Sequence, residues 1–178
     1  MKLGIFIGGL SGGGAERVVC NLANYLSNQG HKVEILTMSD DVPTYELDKR
    51  ISRLPLLRDC ERKNIICNTI LRVLRLYTYL KKNKDQDCYL VMLPVTTILM
   101  LILRSATKAK VIVSERNDPA SYSVFMQKTL KFLAPRADGF VFQTLEARTW
   151  YGNSVSDASA IVIPNAINEE FIGPRYKG

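Results

Sequence analysis

The sequence predicts an α/β fold: a doubly wound, mainly parallel sheet of Rossmann-like type in three α/β/α layers. Three observations carry this expectation. Short apolar runs alternate with stretches of helical period along nearly the whole chain. The first run, Lys2 to Gly8, passes directly into a glycine-rich loop and then a helix. At 178 residues and 47% hydrophobic content, the chain can bury one full core.

The elements follow in order. Lys2 to Gly8 reads as a buried parallel strand. Ala15, Val18, Val19, Leu22, Ala23 and Leu26 then share one helical face, and Gly30 ends that helix. Val33 to Met38 is a second strand. Residues 40–60 read as irregular, punctuated by Pro43 and Pro55. From Ile65 to Lys82, the residues Ile66, Ile70, Val73, Tyr77 and Leu80 trace a helical stripe expected to face the core. Tyr89 to Leu93 is a third strand, Val95 to Arg104 a short buried helix, and Lys110 to Val113 a fourth strand. The next helix presents Tyr122, Phe125, Met126, Leu130 and Leu133. Gly139 to Phe142, Leu145 to Tyr151 and Ala160 to Ile163 complete the pattern as strand, helix and sixth strand. Right-handed crossovers join such strands. Ligands of such a sheet sit beyond the carboxyl ends of the strands, where the strand order reverses. That directs attention to the loops after residues 8, 38, 93, 114 and 142.

Composition excludes several classes. The apolar content rules out disorder, and no fixed period supports a repeat protein. Cys20, Cys60, Cys67 and Cys88 lie far apart, without disulfide or zinc spacing, and are expected in the core of a cytoplasmic protein. The apolar start ends in glycines by residue 8, too soon for a signal peptide. Cys88 to Leu103 carries no charge over sixteen residues, short of the roughly 20 that span a bilayer, and Pro94 interrupts it. The formal charge of +7 is regional. Lys49 to Lys84 holds eleven basic and two acidic side chains, a local +9 that leaves the rest of the chain at −2. Such a segment points to an anionic partner. No nucleic-acid reader motif accompanies it, so nucleic acid is not the expected partner.

Gly8-Gly9-Leu10-Ser11-Gly12-Gly13-Gly14-Ala15-Glu16-Arg17 joins the first strand to the first helix. Its glycines allow close backbone approach, and a helix N-terminus offers unpaired N–H groups to an anion. It is no Walker loop, because no Gly-Lys-Ser/Thr follows. It also departs from the dinucleotide fingerprint, with Arg17 at the third glycine position. Thr37 and Ser39 stand where a dehydrogenase would carry a ribose-binding acid. A turn that merely packs the helix remains the alternative. His31 precedes the second strand at the amino end of the sheet, away from any cleft, and reads as structural. Trp150 and Tyr151 read as packing residues.

These residues together resemble the N-terminal half of glycosyltransferase family 4. The resemblance rests on Gly-Gly-x-x-x-Gly-Gly-Ala-Glu-Arg after the first strand, Asn21-Leu22-Ala23, Gly30-His31-Lys32-Val33 and a strand ending in Thr37. Ser114-Glu115-Arg116-Asn117-Asp118-Pro119 is similar to a segment of its bacterial members, and Val162-Ile163-Pro164-Asn165-Ala166-Ile167 resembles their exit from the first domain. The resemblance implies a GT-B enzyme, a retaining transferase moving a sugar from a nucleotide-sugar to a glycan or lipid-linked acceptor in surface polysaccharide synthesis. Its N-terminal domain chiefly binds the acceptor. The expected division is a Rossmann-like domain over 1–165 and a hinge or linker over 166–178, with the donor domain absent and the chain inactive alone. The alternative is a non-catalytic nucleotide- or phosphate-binding module.

On this resemblance Asp118 and Glu115 are the candidate catalytic carboxylates. Asp118 equally suits an N-cap before Pro119. Gly12, Gly13 and Gly14 are candidates for the donor phosphate, and Arg17, Arg116 and Asn117 for the acceptor. Relatives carry a histidine where Arg116 stands. No metal and no cofactor are implied, the nucleotide-sugar being a substrate. Arg72, Arg75 and Lys82 are expected opposite the core stripe of their helix, with Leu71 and Tyr79 interleaved. Such a face can rest on an anionic membrane, peripherally on the inner side, or simply be solvated.

Overall fold

Six apolar runs become strands where the pattern places them, and a seventh strand arises in a stretch read as irregular. The computed structural model describes residues 1–61 and 64–164. Arg62 and Lys63 of the basic segment lie outside these residues, as do Asn165 and the expected linker over 166–178.

The strands are β1 (Lys2–Ile7), β2 (Lys32–Thr37), β3 (Ser52–Pro55), β4 (Cys88–Met92), β5 (Lys110–Glu115), β6 (Gly139–Phe142) and β7 (Ala160–Val162). All neighbours pair in parallel, in the order β3-β2-β1-β4-β5-β6-β7. The helices are α1 (Gly14–Asn28), α2 (Ile65–Lys82), α3 (Pro94–Ile102), α4 (Val124–Leu133) and α5 (Leu145–Tyr151). The result is the Rossmann-like three-layer arrangement that the alternation predicts. β3 escapes a periodicity search because it is four residues long and pairs only with β2. It stops at Pro55, which an edge strand tolerates because no ladder bond is lost on the open side.

Handedness distributes the helices. Leaving β1 for β2 sends α1 to one face, where Val19, Cys20 and Ala23 close over Ile5, Ile7, Val33 and Ile35. The return from β3 to β4 and onward to β7 sends α2, α3, α4 and α5 to the other. There Leu76, Leu80, Met100, Leu101, Leu130 and Tyr151 pack on Phe6, Tyr89, Val91, Val113, Phe140 and Phe142.

Three packing expectations are corrected. The inner face of α2 is Leu76, Tyr79 and Leu80, while Ile66, Ile70 and Tyr77 of the expected core stripe are exposed. The helix is apolar on both sides, so periodicity alone did not choose its face. Phe125, expected inside, is 81% exposed. Of the cysteines, Cys20 is buried and Cys60 is exposed. Tyr151 is buried as a packing residue, and His31 lies at the amino end of the sheet, beside the Met1 amine.

Gly4 of β1 lies beneath the Tyr89 ring of β4, its partner in register. A Cβ there would stand 2.5 and 2.6 Å from two ring carbons. Tyr89 is fully buried and cannot swing aside. Gly4→Ala is therefore expected to destabilise the fold by about 1–3 kcal/mol. A urea midpoint lowered at unchanged slope would register the loss, and an unchanged midpoint would contradict this account.

Candidate functional site

The strand order reverses between β1 and β4, so the loops leaving their carboxyl ends border the natural ligand crevice. One is the glycine loop and the other begins at Leu93. Gly8 faces Leu93: a Cβ on the glycine would meet Leu93 Cδ1 at 3.5 Å. Leu93 has φ 73° and ψ 149°, a conformation that a leucine occupies at a cost of about 1–3 kcal/mol. Its carbonyl is held by Thr96 Oγ1 at 2.9 Å and the Thr97 N–H at 3.0 Å, and Thr96 also donates to Met92 O. Pro94 follows as the first residue of α3. No sequence signal marks Leu93, because the strain exists only once β4 and α3 are joined.

The glycine loop is braced by the segment after β2. The Met38 N–H donates to Gly8 O and the Thr44 N–H to Leu10 O, each at 2.9 Å. Ser39 Oγ holds Asp41 at 2.8 Å, and the Asp41 carboxylate lies against Gly9, where a Cβ would collide with it. Leu10 is fully buried and plugs the core beneath the loop. Gly12 at φ 106° requires glycine. Gly13 caps α1 without a side-chain bond, and Gly14 has open space above it. Gly12 and Gly14 are exposed and Gly13 is partly so, with Arg17 exposed on the same first turn. Glu16 leans its carboxylate over Gly13, favourably placed at a helix N-terminus. Any phosphate here shares the helix end with that carboxylate. Asp41 and Thr44 fall in the stretch read as irregular, and Ser39 was read only as standing where a ribose-binding acid would be; their bracing of the glycine loop depends on contacts between segments distant in sequence.

The loop after β5 is organised by Glu115. This side chain is 4% exposed and accepts the Tyr122 hydroxyl at 2.8 Å on Oε1 and the Tyr151 hydroxyl at 2.9 Å on Oε2. The N–H groups of Arg116 and Asn117 donate to Oε1 at 3.2 and 3.3 Å. Burial raises the Glu115 carboxyl above its ordinary value, while the tyrosines and the two N–H groups pull it back. A base must reach an acceptor hydroxyl at hydrogen-bond distance. Both oxygens of Glu115 are turned to the fold's own donors, whereas a catalytic carboxylate would have to meet the acceptor. Asp118 is exposed and caps the 119–121 turn by accepting the Ala120 N–H at 2.9 Å. Arg116 is half-buried, its guanidinium lowered by burial, and Asn117 is exposed.

The basic residues of α2 do not form the expected outward face. Arg72 Nε donates to Met38 O at 3.0 Å. Arg75 clamps both oxygens of Glu61 at 2.7 Å and donates to Leu56 O. The Arg75 clamp, with the Arg58 N–H, holds Glu61 down at about 2. Tyr79 is buried and donates to Glu34. Only Lys82 of the three cations is exposed. Among the described residues, no cluster of three His, Cys, Asp or Glu could hold a metal ion.

Glu115 makes a pH-dependent prediction. Its folded-state value lies above the unfolded one, so the fold keeps a proton that the unfolded chain releases as pH rises past about 4.3. This group's contribution to stability is therefore full below that pH and lost up to the raised value. The melting temperature of Glu115→Gln relative to the parent should climb across that window and then level off. A difference independent of pH would refute the assignment.

Comparison with known proteins now adds to this geometry. The model of Glycosyltransferase Family 4 matches residues 12–171. Comparison with curated proteins gives no match. Among solved structures, a sucrose-phosphate synthase from Thermosynechococcus elongatus superposes with a TM-score of 0.73 at 14% identity, over 95% of this chain and 49% of its own. The lipopolysaccharide outer core galactosyltransferase WaaB, in its apo form, gives 0.70 at 13%, over 100% and 50%. Anabaena Alr3699/HepE in complex with UDP-glucose gives 0.74 at 13%, over 96% and 45%. At these identities the likeness is one of fold, and the chain spans about half the length of these structures. With the family model matched over all but the first eleven and last seven residues, the chain belongs to glycosyltransferase family 4.

Proposed function

We propose that this chain is the acceptor-side domain of a retaining hexosyltransferase, which passes a sugar from a nucleotide-sugar to a glycan or lipid-linked acceptor in surface polysaccharide synthesis. The observation that carries the reading is the family match across a sheet whose glycine loop and Ser114–Pro119 loop both open at the carboxyl edge. The HepE structure, solved with UDP-glucose, supports a nucleotide-sugar as donor. Among the described residues no helix is long and apolar enough to cross a membrane. A cytoplasmic location belongs to this reading through its nucleotide-sugar donor.

Transfer needs a stabilised leaving diphosphate and a well-oriented acceptor hydroxyl. In this reading Gly12, Gly13 and Gly14 offer backbone N–H groups to the donor phosphate, assisted by Arg17. Asp118 is the exposed carboxylate that orients the acceptor hydroxyl, and Arg116 and Asn117 bind its neighbouring groups. Glu115 keeps these three in place through the backbone bonds of Arg116 and Asn117. No metal and no cofactor are assigned; the second half of the enzyme holds most of the donor.

Two measurements test this. Mixed with UDP-glucose, other nucleotide-sugars and an acceptor panel, the 178-residue chain alone should release no nucleoside diphosphate; turnover would overturn the division between halves. On a glycan array the labelled chain should bind, and Arg17→Ala and Asn117→Ala should each weaken that binding about tenfold, or about 1.4 kcal/mol. Loss from neither variant would remove both from the acceptor site.

A further inference from the structure

The layer formed by α2, α3 and α4 has an outer surface that the sugar-transfer reading does not use. On α2, Ile66, Ile70, Leu74 and Tyr77 recur at helical spacing, and all four are exposed, Ile66 to 68%. On α4, Phe125 and Phe132 lie two turns apart and are each 81% exposed. The two helices share one face of the sheet. α3 packs on α4, and the 104–106 turn that follows α3 touches α2. The stripes therefore belong to one continuous layer.

Its charge has one sign. Not one of α2, α3 and α4 carries an aspartate or a glutamate. Lys128 stands exposed between Phe125 and Phe132, three residues after one and four before the other, and so shares their stripe. Lys81 and Lys82 close α2, with the Lys81 ammonium over the Tyr77 ring at 5.6 Å. Large aliphatic and aromatic side chains with lysines among them are what a helix lying in a lipid headgroup region presents. A second copy of the chain docked on the same face would set lysine against lysine with no carboxylate to answer them.

We propose that this outer layer is a docking surface for an anionic lipid bilayer, with Phe125, Phe132 and the Ile66–Tyr77 stripe entering the headgroup region and Lys81, Lys82 and Lys128 meeting lipid phosphates. The contact differs from the one expected of Arg72 and Arg75, whose guanidinium groups are engaged by Met38 O and by the Glu61 carboxylate. It is independent of sugar transfer, because no donor or acceptor takes part.

The test is sedimentation of the 178-residue chain with vesicles of phosphatidylcholine containing phosphatidylglycerol, and with vesicles of phosphatidylcholine alone. The chain should follow the anionic vesicles, and 0.5 M salt should weaken that binding. Phe125→Ser/Phe132→Ser and Ile66→Ser/Ile70→Ser should each lower the partition coefficient by tenfold or more. These side chains are exposed, so circular dichroism and melting temperature should remain those of the parent. Equal binding to both vesicle types, no binding to either, or unchanged binding by both double variants would overturn the proposal. So would a concentration-dependent dimer that the serine variants dissolve while vesicles capture nothing. No nucleotide-sugar is present, so a failure here leaves the transferase reading untouched.

Discussion

Because a parallel crossover is right-handed, the chain that leaves β1 for β2 lays α1 on one face, and the chain that returns to β4 lays every later helix on the other. The remaining features descend from that constraint. The reversal between β1 and β4 sets the glycine loop beside Leu93 and opens the crevice. The one-sided placement of α2, α3, α4 and α5 gives the fold a continuous helical layer. It also explains why Leu93 takes a costly backbone conformation. The chain must turn from the buried end of β4 into α3 within one residue, and Thr96 and Thr97 secure the strained carbonyl.

Glu115 illustrates how a loop is held still in such a sheet. A carboxylate at 4% exposure costs several kcal/mol unless hydrogen-bonded. Here two tyrosine hydroxyls and two backbone N–H groups answer it. Tyr122 ties in the segment after the 119–121 turn and Tyr151 the end of α5, so one side chain fixes the position of three pieces of chain. Arg116, Asn117 and Asp118 inherit their geometry from it. The Arg75–Glu61 clamp works at the opposite edge, fastening α2 to the short turn that precedes it.

Sequence reasoning reached the architecture because hydrophobic alternation reports burial directly, and both the first helix and the α2 boundaries follow from it. It missed β3, whose four residues carry an arginine and a proline and gain their identity only by pairing with β2. It turned α2 the wrong way because apolar residues occupy both sides of that helix, and only packing against Leu56 and Tyr89 selects Leu76, Tyr79 and Leu80 as the inner set. Among the candidate residues, the glycines and the Ser114–Pro119 loop were legible as motifs. The burial of Glu115, a candidate catalytic carboxylate, between two tyrosine hydroxyls was not legible, because it depends on Tyr151, 36 residues away.

The helical layer without carboxylates has one more consequence. Its sequences hold no histidine, aspartate or glutamate, so the face carries none of the side chains whose ordinary titration range lies between about 4 and 7. Its positive charge rests on lysine and arginine alone. Whatever meets that face is therefore controlled from its own side, through its own charge density and the ionic strength between the two.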